Sequence, residues 1–325
     1  MVKLVSIFFG CVFALQIAAQ DAKPSFEAYV ESLKHEAKAL EFSDAFLQQA
    51  FTDVTFYKRA IKADKNQPEF KITLDKYLKT RVPDWKVKQA VELYNTHQPL
   101  LEEIGKTYGV QPRFIVALWG NESNFGKIQG NYSIVSALST LAYEGRREAF
   151  FKKQLFAALQ ILNEGHISQD KFVGSWAGAM GQSQFMPTSF LTYAEDYDKD
   201  GKKDIWSNPA DVFASIANYL AREGWNDQIT WGRQVRLPEN FDLSLAGLNK
   251  SKMQSLAAWQ TLGVRRFDGS DLPNVDLQAS LIMPDDEHGR IYLVYSNFHT
   301  LMRWNRSTYF GSAVSYLADR IKKGA

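Results

Sequence analysis

Six apolar residues, Phe114-Ile115-Val116-Ala117-Leu118-Trp119, follow one another without a break and run into Gly120-Asn121-Glu122-Ser123-Asn124-Phe125-Gly126. A surface helix carries only a stripe of apolar residues, so this segment predicts a helix buried most of the way round, with other helices packed on several sides. Its C-terminal end delivers Glu122. The negative end of the helix dipole and an apolar surround both disfavour a carboxylate there, which predicts a raised pKa and a general acid that works near neutral pH. Spacing alone favours a blander role, a glutamate that caps or pairs at a surface turn.

The rest of the chain supplies the helices that such a core requires. From Phe26 to about Gly126 apolar residues recur three and four apart, as in Val30, Leu33, Ala37 and Leu40. Helical patterns continue over Ser133 to Gly165 and Asn208 to Gly224, separated by a glycine-rich turn region from Gly174 to Pro187. Between Ile229 and Val294 short alternating runs such as Gln234-Val235-Arg236-Leu237 and Gly289-Arg290-Ile291-Tyr292-Leu293-Val294 predict a small β-containing insert. With 45% hydrophobic residues over 325 positions there is ample material for a sizeable core. A formal charge of +2 lacks the basic excess of a dedicated nucleic-acid binder.

The N-terminus has the parts of a secretory leader over residues 1–20: Lys3, an apolar run from Leu4 to Ala19, and small residues Ala18 and Ala19 at its end. The run is too short for a comfortable membrane span. Cys11, the only cysteine, follows Gly10 and keeps lipid attachment open as an alternative, but the apolar run continues past it. The expectation is a soluble mature protein in the periplasm, without a disulfide or a thiol nucleophile.

Glu122-Ser123-Asn124-Phe125-Gly126, together with Ser175-Trp176-Ala177-Gly178-Ala179-Met180-Gly181-Gln182-Ser183-Gln184-Phe185-Met186-Pro187, resembles the membrane-bound lytic murein transglycosylase B family of the lysozyme-like superfamily. The likeness continues through Asp196 to Trp206, Ile216 to Leu220 and Arg303 to Ser307, covering most of the chain from about Gln67. It implies a peptidoglycan-cleaving lyase that breaks the β-1,4 bond from N-acetylmuramic acid to N-acetylglucosamine and leaves 1,6-anhydro ends. Glu122 would be the single acid and base, assisted by the substrate's acetamido group, with no cofactor in the chemistry. Ser175 and Gln184 match positions that hold the sugar and the catalytic carboxylate. Tyr219, Asn305 and, by a weaker alignment, Tyr77 match cleft residues. Trp304 stands where the family usually has tyrosine, which removes a hydroxyl and keeps a stacking face. Among the loop's polar side chains, Gln182 and Ser183 also suit sugar hydroxyl and acetamido groups.

Most glycosidases need two carboxyl groups. Glu144, Glu148, Asp170 and Glu195 are loose candidates for a second, none in a paired context. A lysozyme-type hydrolase with an unrecognised second acid is therefore one rival reading, and a non-catalytic peptidoglycan-binding scaffold is another. Retention of Glu122 argues against the scaffold. The expected partners are peptidoglycan glycan strands, with cell-wall synthesis enzymes left open, no nucleic acid, and a monomeric chain.

Residues 196–207 follow much of the EF-hand loop spacing: Asp196, Asp198, Asp200 and Asp204 at positions one, three, five and nine, the Lys202 carbonyl at seven and Gly201 at six. Ser207 occupies position twelve, where a bidentate glutamate is usual, and Asn208 or Asp211 could compensate. A structural Ca²⁺ is expected, against the alternative of a solvated acidic turn. The fold class expected is mainly α: a lysozyme-like core over residues 95–229 and 295–325, a helical N-terminal domain over 21–94, and a small β-containing insert over 230–294.

Overall fold

Side-chain hydroxyls start the N-terminal helices, because each helix leaves its first amides without an internal partner. Ser25 accepts from Ala28 N ahead of α1 (Phe26–Lys38), and Ser43 from Phe46 N ahead of α2 (Asp44–Ala50). After α3 (Lys58–Lys65), Thr73 caps α4 (Leu74–Arg81) by accepting from Lys76 N. The computed structural model describes residues 23–65 and 72–324. The leader expected over residues 1–20 lies outside them. Among the described residues, no helix is long and apolar enough to cross a membrane.

The next three helices build the centre. Pro83 precedes α5 (Asp84–Thr96), α6 (Gln98–Tyr108) ends at left-handed Gly109, and Pro112 opens α7 (Pro112–Ser123), where a missing N–H costs nothing. Every residue of α7 from Phe114 to Gly120 is buried, as the apolar run predicts. Gly105 is where α6 turns back against α7, since a Cβ there would lie 2.7 Å from the Val110 carbonyl.

Strand β1 (Tyr132–Ser133) leads into α8 (Ile134–Glu144) and the longer α9 (Glu148–Asn163), which pack on each other. Strand β2 (Val173–Gly174) pairs antiparallel with β1 and opens the glycine-rich turn. Beyond it lie α10 (Pro187–Tyr193) and α11 (Pro209–Arg222), the latter buried from Asp211 to Leu220. Helices α5, α6 and α11 contact α7.

A five-stranded antiparallel sheet follows: β3 (Gly232–Arg236), β4 (Gln254–Ser255), β5 (Arg265–Arg266), β6 (Gln278–Ile282) and β7 (Ile291–Val294), in spatial order β4-β6-β7-β3-β5. Strand β7 is buried at every position because the sheet is covered on both faces. Tyr292 and Val294 join the main helical core, whereas Ile291 and Leu293 join a separate apolar cluster with Val235, Leu281 and Trp259 of α12 (Leu256–Thr261). The chain then returns through α13 (Ser296–Trp304) to α14 (Thr308–Gly324), which packs along α7.

The sheet also braces the helical body. In the loop from β6 to β7, both carboxylate oxygens of Asp285 accept from Leu74 N, at 2.9 and 3.0 Å, so a residue of the sheet caps α4. Tyr309 of α14 bonds the same carboxylate through its hydroxyl, and Arg290 pairs with Asp75 at 2.6 Å. Helix α4 therefore sits between α14 and the sheet, with Tyr77 and Arg81 on it.

Candidate active site

Helix α7 ends immediately after Glu122 in an unusual reversal. Asn124, Phe125 and Gly126 take successive positive φ values of 51°, 59° and 80°. Only the glycine adopts that region without cost, so the surroundings must hold the other two. Ser123 Oγ accepts from Gly126 N at 2.9 Å, and the Phe125 ring swings back beneath the helix. A Cβ on Gly120 would lie 2.6 Å from that ring, so glycine is what lets the turn close.

Glu122 comes to rest half-buried beside an indole: Trp304 Nε1 donates to Glu122 Oε1 at 2.6 Å. Burial pushes the Glu122 carboxyl up to about 7, while the Trp304 N–H and the positive charge of Arg81 hold it back from rising further. A carboxylate sharing the site would itself add to that rise, and among the described residues none does. The loose second-acid candidates each have other surroundings. Glu144 pairs with Lys65 at 2.8 Å, Glu148 accepts from the Tyr29 hydroxyl at 2.7 Å, and Glu195 accepts from Asn218 at 2.6 Å. Asp170 lies in the short 3-10 turn Gln169–Lys171.

Aromatic rings form one wall. Tyr219 of α11 is buried between Tyr193 and Trp304, with ring centres 4.4 and 4.6 Å away, and Phe185 lies 5.3 Å from Trp304. Burial raises the Tyr219 hydroxyl well above its ordinary value. Asn305 follows Trp304 at the end of α13, exposed, its Oδ1 accepting from Ser307 N at 3.1 Å. Tyr77 lies edge-on to Tyr309 at 5.4 Å, with the Arg81 guanidinium 5.8 Å from its ring.

The glycine-rich turn is held by its own side chains. Ser175 Oγ accepts from Ala179 N at 2.9 Å and Ala177 N at 3.3 Å. Gln184, with φ 51°, donates through Nε2 to the carbonyls of Gly181 and Gln129 at 2.9 and 3.2 Å. Both remain partly exposed, and neither bonds Glu122 directly. Gln182 and Ser183 correct the expectation that their polar groups face a sugar, for both are buried. Gln182 Oε1 accepts from Trp119 Nε1 at 2.7 Å and its Nε2 donates to the Trp206 carbonyl at 2.9 Å, so it ties α7 to the acidic loop. This clamp fills the space beside Gly126, where a Cβ would lie 2.3 Å from Gln182 Oε1.

In the acidic loop, carboxylate oxygens of Asp196, Asp198 and Asp211 come within 4.8 Å of one another. Asp200 and Asp204 lie outside that group. Asp204 Oδ1 instead accepts from Trp206 N and Ser207 N, at 2.9 and 2.8 Å, and Asp200 Oδ1 accepts from Lys202 N at 2.8 Å. Asp211 is fully buried at the start of α11, accepts from Tyr197 N and Asp204 N, and is pushed up to about 6 by burial. Three oxygen donors this close, one of them shielded from water, suit a hard divalent cation.

Comparison with known proteins decides the family. The profile of the transglycosylase SLT domain matches residues 25–319, nearly the whole described chain. The chain belongs to that family. It is 31% identical over 253 residues to membrane-bound lytic murein transglycosylase B of Escherichia coli K12, an alignment that takes in 76% of this chain and 66%, just under two thirds, of that protein's length. Among solved structures it is similar to Pseudomonas aeruginosa SltB3 in complex with NAG-anhNAM-pentapeptide, with 41% identity, a TM-score of 0.89, and coverage of 93% of this chain and 80% of that one. It is similar also to the Escherichia coli lytic transglycosylase Slt35 in complex with calcium, with 26% identity, a TM-score of 0.78, and coverage of 93% of both chains. The mainly helical fold with a small sheet is thus that of the lytic transglycosylases.

Two residues of this family member escape a reading by motif. Its position beside Asn305 marks Trp304 as a stacking face, yet its N–H also reaches Glu122 across 182 positions of sequence. Arg81 carries no local signal at all; only the end of α4 brings its charge to bear on Glu122.

Proposed function

We propose that this chain is a lytic transglycosylase that cleaves the β-1,4 bond from N-acetylmuramic acid to N-acetylglucosamine in peptidoglycan, with Glu122 as its single acid and base. The observation that carries this reading is Glu122 itself: half-buried, titrating near neutrality through burial, and bonded to an indole rather than paired with a second carboxyl group. An acid of that strength holds its proton long enough to give it to the glycosidic oxygen, and its conjugate base is strong enough to take one back.

The steps balance without another reactant. Glu122 protonates the bridging oxygen as the bond from C1 breaks, and the acetamido oxygen of the same muramic acid residue covers the developing positive charge at C1. The C6 hydroxyl of that residue then attacks C1 while the Glu122 carboxylate removes its proton, which closes the 1,6-anhydro ring and restores the acid. Attack from within the substrate has the proximity advantage that solvent water lacks. Ser175, Gln184, Tyr219, Asn305 and Tyr77 would hold the sugars along the cleft, with Tyr219 and Trp304 as the aromatic wall. Support comes from the family and from the relative SltB3, whose complex contains an anhydro-muramic product with its peptide.

Asp196, Asp198 and Asp211, with backbone carbonyls of the loop, would hold a structural Ca²⁺, as the calcium complex of Slt35 suggests for the family. The ion would neutralise converging carboxylates and fix the loop to α11, with no part in proton transfer. Residues 1–20 direct the enzyme to the periplasm on this reading. Mass spectrometry of digested cell walls tests the reaction: the expected disaccharide-peptide products are one water lighter than hydrolytic ones. Reducing-end products alone would assign a lysozyme-type hydrolase instead.

A further inference from the structure

One of the surface cavities lies along a strap that runs out from Gln184. The Gln129 carbonyl accepts from Gln184, Gly130 presses so closely on Gly174 that a Cβ would sit 2.0 Å from its carbonyl oxygen, and Tyr132 pairs with Gly174, the residue before Ser175. Beyond this strap Phe56, Tyr57, Lys58, Arg59, Asn131 and Tyr132 line a space of 540 Å³, within the range that takes small ligands.

The walls are firmly placed. Tyr57 meets Tyr132 edge-on, ring centres 5.1 Å apart at 89°. The backbone before α3 is fastened to α8, since Thr55 N and Tyr57 N donate to Ser136 Oγ and Thr140 Oγ1 at 3.0 and 3.1 Å. Charge is the distinguishing feature. Nearby, Lys65 pairs with Glu144, and Arg146 and Arg147 pair with the buried Asp64; Lys62, also on α3, has no acidic partner among the described residues but does not line the cavity. Lys58 and Arg59 are exposed at the cavity and have no acidic partner among the described residues.

We infer that this cavity is an accessory subsite for the carboxylate-bearing peptide of a glycan strand lying in the cleft, with Lys58 and Arg59 as its cations and Tyr57 and Tyr132 as its platform. The inference rests on peptidoglycan being the substrate. Every strand that carries peptides carries carboxylates along its flank, and a planar guanidinium matches a carboxylate with two parallel bonds. The sugar-binding cleft would then read the glycan, while the side cavity would distinguish peptide-bearing strands from bare ones.

Binding, rather than turnover, gives the cleanest test. In the Glu122→Gln chain, affinity is measured for strands that keep their peptides and for strands stripped of them by an amidase, before and after adding Lys58→Gln and Arg59→Gln. Loss of two exposed cations should weaken binding of the peptide-bearing strands about fivefold and affect much less the stripped strands, whose only carboxylates are the lactyl groups next to the sugar. Arg59→Lys alone should retain part of the preference, and 0.5 M salt should narrow the gap between the two kinds of strand. An equal loss on both, or no loss on either, would overturn the assignment. Melting curves of the variants, expected to overlay the parent, separate a binding effect from a folding one. Cleavage by the unaltered enzyme is scored separately, so a failure of the transglycosylase reading would leave this binding comparison interpretable.

Discussion

The end of α7 and the loop from Asp196 to Asp211 each gather negative charge, and they dispose of it in opposite ways. In the loop, carboxylate oxygens of Asp196, Asp198, Asp200, Asp204 and Asp211 all accept backbone N–H groups, so the charge fixes the course of the chain. At the end of α7, Glu122 accepts a single N–H from an indole and otherwise faces burial. The first arrangement makes acids into scaffolding that a cation could complete. The second leaves one acid poised between its two protonation states. Burial lifts both Asp211 and Glu122, to about 6 and about 7, so the shift alone does not separate a structural carboxyl from a reactive one. What separates them is whether backbone donors already claim the oxygens.

The sharpest way to break the contrast is Glu122→Gln, expected to lower the rate of wall solubilisation by at least about a thousandfold with glycan binding retained. Comparable rates in the two chains would place the chemistry elsewhere. Asp211→Asn should be the more damaging change to stability, by about 2–4 kcal/mol in urea titration, because Oδ1 and Oδ2 each accept a backbone N–H and the substitution turns one of them into an NH2 that cannot accept. Calcium should raise the melting temperature of the parent and not of this variant; an equal rise in both would remove Asp211 from the ligand set.

Glu122→Gln should, conversely, stabilise the fold at pH 8 by on the order of 2 kcal/mol and have little effect at pH 4. The sign follows from the raised folded pKa. Between the unfolded value near 4.5 and the folded value near 7 the native state binds more protons, so stability attributable to Glu122 declines as pH rises through that window. A variant equally stable at both pH values relative to the parent would contradict the shift. The smallest expected effect concerns the pH profile: kcat/KM should decline above a pH of about 7, and Trp304→Phe should move that limb upward by removing a donor that favours the carboxylate. An unmoved limb would reduce Trp304 to a stacking partner.

Much of the helical architecture was legible because α7 advertises its own burial, and no arrangement without several surrounding helices could hide it. The place of Glu122 at the end of that helix followed from the same run. The side-chain partners were harder to see, for reasons of distance and direction. Trp304 meets Glu122 only because α13 returns the chain to α7 after the sheet, and nothing local to either residue signals the encounter. Gln182 lies in a loop rich in polar groups, yet it faces inward because Trp119 Nε1 and the Trp206 carbonyl need a partner there. In the acidic loop the spacing marked where carboxyl groups occur, while the turn at Trp206 and Ser207 decided which way Asp204 points. Asp211 entered the sequence reading only as a possible compensator; its inward orientation comes from lying in the first turn of a buried helix.

The capping of α4 by Asp285 reaches beyond local order. A helix of eight residues has little hold of its own on a conformation, and the hydrogen bonds at its first amide come from a residue more than two hundred positions downstream. The flank of the groove that bears Tyr77 and Arg81 is therefore completed by chain near the C-terminus. A shortened enzyme that ended before the sheet would keep Glu122 in its sequence but would lack the buttress for the opposite bank, and shaving the protein down to its helices would forfeit the shape of the groove.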